Sequence, residues 1–200
     1  ALSKETAIVT PAALALWEAV LWLKNRRDPA ERTQHAAWTV ALLLPILPLT
    51  AWYAYHYHRT GFIFGNPEFL RYNATANLDL HRIALCLYHR LLHLTAHMNM
   101  FVPVVCTVAV LFIPSKAAPG LQKKTLKAIA VILLANWIAF SILGGALLTR
   151  YLLPMYPLVL LLCVAAWRSR LRPWWPLAAL SAAAFLAGIW INPPYAFAPE

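Results

Sequence analysis

The chain has 200 residues, 62% of them hydrophobic and only 12% charged, with a mean hydropathy of +0.61. That balance excludes an ordinary soluble domain and points to a polytopic membrane protein. The net charge of +10 falls in short gaps between apolar stretches with no basic-aromatic platform beside it, so nucleic acid is excluded as a partner.

Six apolar stretches follow one another: Ala7–Leu23, Ala36–Tyr55, Asn99–Ile113, Ala128–Leu148, Tyr151–Trp167 and Trp174–Ile191. Each is read as a helical span, because ~20 residues at ~1.5 Å rise cross the hydrocarbon core. Lys24, Arg26, Arg27 and Arg32 lie in the first connection, Lys116, Lys123, Lys124 and Lys127 in the third, and Arg168, Arg170 and Arg172 in the fifth. These alternate basic connections should face the cytoplasm, which leaves both termini outside. The predicted fold is an all-α polytopic transmembrane helix bundle of about six spans, with an interfacial amphipathic helix in an outside loop. It forms a single domain over residues 1–200. The first apolar stretch is followed rather than preceded by basic residues, the reverse of a signal peptide. The chain is therefore expected to be the C-terminal part of a longer one.

Glu18, inside the first stretch, is close enough to Lys24 and Arg26 to pair structurally. The one substantial polar segment is His56–Asn77, on the outside face, with turns marked by Gly61, Gly65 and Asn66-Pro67. Its candidate contact residues are His56, His58, Arg59, Glu68, Arg71 and Tyr72. From Leu78 to Met98, Arg82, Cys86, His89, Arg90, His93 and His97 cluster on one arc at helical spacing. Ile83, Leu87, Leu91, Leu94 and Met98 gather on the other. The pattern predicts a helix lying in the membrane interface, its polar face wet and near lipid phosphates, with Asp79 capping its start. His89, His93 and His97 at i, i+4 and i+8 could also hold a metal or haem, but no acidic or cysteine ligand sits between them, so no metal site is assigned. Asn136 and Ser141 are expected to hydrogen-bond between helices. Cys86, Cys106 and Cys163 are scattered, inert thiols.

Arg150 is the sole charged residue between Ala128 and Trp167. Thr149-Arg150 is predicted to form a tight turn at one membrane face, where the arginine, beside Tyr151 and Tyr156, suits a phosphate or phospholipid head group.

The run from Gly145 through Thr149, Arg150, Tyr151, Leu153, Pro154, Tyr156 and Pro157 resembles the C-terminal membrane region of C-type glycosyltransferases. Nearest in pattern are the bacterial protein O-mannosyltransferase and lipid A aminoarabinose transferase group. The resemblance implies transfer of a sugar from a polyprenyl-phosphate donor to an acceptor on the outer face of the bacterial inner membrane, with a divalent metal in some relatives. Arg150 and Tyr151 would contact the donor phosphate. The family's acidic catalytic loop after a first span has no counterpart here, so the catalytic residue is unassigned and the chain would be an incomplete C-terminal half. The competing class is a non-enzymatic lipid-binding membrane scaffold or a transporter fragment.

Overall fold

A computed structural model describes residues 5–25, 28–63, 68, 79–115, 120–143 and 149–190. The protein is all-helical, with no strand among the described residues. Eight α-helices are seen there: α1 (Val9–Lys24), α2 (Pro29–Leu43), α3 (Ile46–Thr60), α4 (Leu80–Thr95), α5 (Phe101–Leu111), α6 (Lys123–Leu143), α7 (Tyr156–Arg170) and α8 (Trp175–Trp190). Short 3-10 turns occupy Glu5–Ile8, His97–Asn99 and Thr149–Leu152.

Local chemistry sets the ends. Asp28 caps α2, its carboxylate accepting from the backbone N–H groups of Ala30 and Glu31 at 2.9 and 3.2 Å, and Pro29 fills the first helical position. Pro45 has no N–H to offer, which interrupts the hydrogen bonding between α2 and α3, but Leu44 and Pro45 keep right-handed helical angles and the two helices run on as one stretch. Gly61 ends α3 in the left-handed conformation at φ 75°, its N–H returning to the Tyr57 carbonyl at 2.8 Å. Asp79 accepts from the Arg82 backbone N–H at 3.0 Å and so caps α4.

Six full-length spans do not result. Two described stretches are long and apolar enough to cross a membrane, Pro29–Thr60 and Lys123–Ile142. The remaining helices stop short: α5 has 11 residues and α7 has 15, about 16 and 22 Å against ~30 Å of hydrocarbon. The stretch Tyr151–Trp167 is shortened because Thr149–Leu152 winds as a 3-10 turn and α7 begins only at Tyr156, with Pro157 in its first turn. The basic connection Lys24–His35 also contracts. It ends at Asp28, and Arg32 and His35 become residues of α2.

The chain divides into two compact units, residues 1–87 with 127–151, and residues 88–126 with 152–200. In the first, α1 and α2 form a helical hairpin. His35 Nδ1 donates to Glu18 Oε2 at 2.5 Å, Asn25 Nδ2 bonds Glu31 Oε2, and the Arg32 guanidinium lies 5.1 Å from the Trp22 ring centre. Asn136 of α6 donates to Thr10 Oγ1 of α1 at 3.0 Å, and Trp137 Nε1 to the Leu87 carbonyl at 2.9 Å. In the second unit Val110, Cys163 and Trp167 make a core in which α5 packs on α7. Ser115 ties to this core through the Ser169 carbonyl, at 2.9 Å.

Polarity is inverted on several helices. Glu18, Arg90, Asn136, Ser141 and Ser181 are buried, while on the same helices Leu16, Leu85, Leu134, Ile138 and Leu180 are exposed. In water the reverse distribution is favoured, because burying apolar surface is the main driving force and buried polar groups are costly.

Candidate functional site

The amphipathic helix is where this inversion is most complete. On α4 the exposed face carries Leu80, Ala84, Leu85, Tyr88 and Leu91, with His81 as its polar member. The opposite face buries Cys86, Arg90 and Leu94, flanked by half-buried Arg82 and His93. Arg90 is only 1% exposed and Leu80 is 82% exposed. The two-faced pattern is as the periodicity predicts, but its orientation is a correction. The cationic face points into the protein rather than into water, and Leu94 of the expected apolar arc is buried with it.

After Thr95 the helix gives way to a strained turn. Met98 and Asn99 both take left-handed backbone angles, φ 52° and 61°, which are uncommon outside glycine and asparagine. The turn is held by Asn99, whose Nδ2 donates to the Ala184 carbonyl of α8 at 2.6 Å. Gly188, one turn further along α8, leaves room for that amide: a Cβ there would lie 2.8 Å from Asn99 Nδ2.

Beside the turn lies a cavity of about 460 Å³. Met98 and Met100 line it from the turn, Leu153, Tyr156 and Leu160 from the entry to α7, and Phe185 and Gly188 from α8. Met100 is buried, while Met98 and Leu153 are each about half exposed and form its mouth. Tyr156 links this space to α4, its hydroxyl donating to the His93 carbonyl at 3.3 Å.

The histidine ladder is half-buried rather than wet along its length. The rings of His93 and His97 meet edge to face with centroids 4.0 Å apart. Burial pushes the His93 pKa down to about 4, helped by the nearby charges of His97, His89 and Arg90. His97 is lowered for the same first reason, then by His89. His93 Nδ1 is buried and has no hydrogen-bond partner among the described residues. No group of three His, Cys, Asp or Glu side chains converges as metal ligands among those residues either.

The site residues proposed from sequence are scattered. His56, His58 and Arg59 belong to the end of α3, not to a loop, because basic side chains suit a helix C-terminus and Gly61 ends the helix only after Thr60. His56 Nδ1 donates to the Phe62 carbonyl at 2.9 Å. Glu68 is exposed; Arg71 and Tyr72 lie outside the described residues. Arg150 sits in the 3-10 turn Thr149–Leu152, within a longer connection between α6 and α7 rather than in a two-residue turn leading directly into a helix at Tyr151, and its side chain is outside the described part. Tyr151 is half-buried and stacks on Phe140, ring centroids 5.3 Å apart and 17° from parallel. Sequence gives little sign of the cavity: Tyr156 stands out as a neighbour of Arg150, but the other lining residues are apolar positions in an apolar chain and carry no signal of their own.

No protein-family model, curated protein or solved structure matches the chain.

Proposed function

We propose that the chain is a multi-pass membrane protein that binds lipid. The observation that carries this reading is the orientation of α4, which buries Arg90 and turns Leu80, Leu85, Tyr88 and Leu91 outward. A helix with its cations inward and its leucines outward is stable only where the surroundings are hydrocarbon on that side, as at the boundary of a bilayer. α4 lies along the interface with its apolar face in lipid. Pro29–Thr60 and Lys123–Ile142 cross the membrane, and the shorter apolar helices dip into it. The experiment is spin-label depth profiling in liposomes. Labels at Leu85, Tyr88 and Leu91 should be deep and labels at Arg82, His89 and His93 shielded, with a helical period. A steady march toward the bilayer centre, or equal access to aqueous quencher at all six, sinks the proposal.

A second reading narrows the lipid to a polyprenyl-phosphate-linked sugar donor, with transfer to an acceptor on the outer face of a bacterial inner membrane. What favours it is the run around Arg150, Tyr151, Pro154 and Pro157, which resembles the membrane region of C-type glycosyltransferases. On this reading Arg150 offers its planar fork to the donor phosphate, a contact lysine does not reproduce. Four of the seven carboxylates are already committed elsewhere. Glu18 and Glu31 are engaged in the α1–α2 hairpin, and Asp28 and Asp79 cap helices, so none of these four is poised as a base. Donor affinity in nanodiscs separates the cases. Arg150→Lys and Arg150→Ala should both lose on the order of 1–3 kcal/mol, and unchanged affinity in both leaves only a lipid-binding scaffold.

A further inference from the structure

The cavity between the entry to α7, α8 and the Met98–Asn99 turn has the chemistry of a hydrocarbon site. Its volume, about 460 Å³, equals that of about fifteen waters at ~30 Å³ each. Those waters would find few partners. Among the described residues no charged side chain lines the space, and the hydroxyl of Tyr156 already donates to the His93 carbonyl. A lining with so few polar partners favours an apolar guest over water. Met98 and Met100 add unbranched, polarisable side chains that adapt to a flexible guest. The mouth opens between Met98 and Leu153, both about half exposed, and the neighbouring helices expose Phe101, Val105 and Val108 on α5 and Leu186 on α8. The medium at the mouth is therefore as apolar as the lining, and a guest can enter from it without crossing water.

We infer that this cavity holds one acyl chain of a membrane phospholipid, drawn sideways from the bilayer. The inference rests on the membrane reading above. A polar ligand is disfavoured because no group in the lining would replace its lost water.

The test is photolabelling of the full chain in liposomes with a phosphatidylcholine that carries a diazirine near the end of one acyl chain, adducts being mapped residue by residue. Adducts are expected at Met98, Leu160 and Phe185 as well as on the exposed face of α5 at Val105 and Val108. Leu160→Trp, which fills the cavity, should cut the cavity adducts about tenfold while leaving those on α5, a change of ~1.4 kcal/mol in occupancy. Leu153→Trp at the exposed mouth should do the same, and it stands in where the Leu160 variant does not fold. Adducts on α5 with none in the cavity overturn the inference, as do cavity adducts that both tryptophans leave unchanged. Adducts in neither place overturn the membrane reading itself. A diazirine-bearing polyprenyl phosphate is the second arm: if it labels the cavity and the phospholipid does not, the acyl-chain assignment fails in favour of an isoprenoid.

Discussion

Replacing Gly188 with alanine sets two effects of opposite sign against each other. Gly188 lies within α8, where alanine is favoured over glycine by about 0.8–1.0 kcal/mol on helix propensity. The added Cβ, however, would lie 2.8 Å from Asn99 Nδ2, nearer than such atoms approach. The amide cannot simply swing away, because Nδ2 is committed to the Ala184 carbonyl at 2.6 Å and Asn99 is fixed at φ 61°. Overpacking of this kind costs roughly 1–3 kcal/mol, so Gly188→Ala should destabilise the protein by up to about 2 kcal/mol once the propensity gain is subtracted. Asn99→Gly removes the obstructing amide and tolerates the left-handed backbone, at the cost of one hydrogen bond, about 1 kcal/mol. In that background Gly188→Ala should reverse sign and stabilise by up to about 1 kcal/mol. The assay is a double-mutant cycle by equilibrium unfolding of the full chain in mixed micelles, with an expected coupling of about 1–3 kcal/mol. If Gly188→Ala is neutral or stabilising in the native background, and coupling falls below about 0.5 kcal/mol, α8 does not press on the Met98–Asn99 turn as described.

Three further outcomes are expected. Glu18→Ala should destabilise by about 1–3 kcal/mol, because it removes the hydrogen-bond partner of half-buried His35, while the double replacement Glu18→Leu with His35→Leu should recover most of the loss in a thermal unfolding series. His93 is held neutral in the fold with a pKa of about 4 against 6.5 in the unfolded chain. The unfolded state therefore takes up the proton first on acidification, and the stability associated with His93 is complete above about pH 6.5 and lost as pH falls toward about 4. His93→Gln should flatten that part of the acid-unfolding curve, and an imidazole resonance of His93 titrating near its ordinary value would refute the burial. Finally, α4 lies in the interface and α5, with 11 residues, only dips into the membrane, so cysteines at Thr60 and Ser115 in a Cys-free background should react with an impermeant reagent from the same side. Labelling from opposite sides would instead make α5 a full crossing, as the alternating basic connections imply.

Hydropathy and periodicity made the helical class legible, along with the capping by Asp79 and the two-faced character of Leu78–Met98. They misjudged lengths where backbone chemistry intervenes. The continuous apolar run Tyr151–Trp167 gives no warning that Thr149–Leu152 winds as a 3-10 turn and delays α7 to Tyr156. Likewise His56, His58 and Arg59 look like loop residues by polarity, yet Gly61 lets α3 run on through Thr60 before it stops. The cavity was illegible for a different reason. It is assembled by a contact between Asn99 and Ala184, 85 residues apart, and no local pattern encodes that meeting.

Orientation is the part that sequence alone leaves open, and it is also the part that carries function. A segregated helix such as α4 has the same periodicity whether its leucines face a core or a bilayer, since the pattern fixes the angle between its faces but not the solvent on either side. Packing decides between them. Placing Arg90 inward at 1% exposure carries a desolvation cost that a protein in water would avoid by turning the helix over. Where lipid lies outside, turning it over would set the arginine in hydrocarbon, which is worse. The same choice recurs independently at Glu18 on α1, Asn136 and Ser141 on α6 and Ser181 on α8. Each of those helices buries a polar side chain while exposing leucine, and it is on their agreement, rather than on α4 alone, that the proposed lipid surroundings rest.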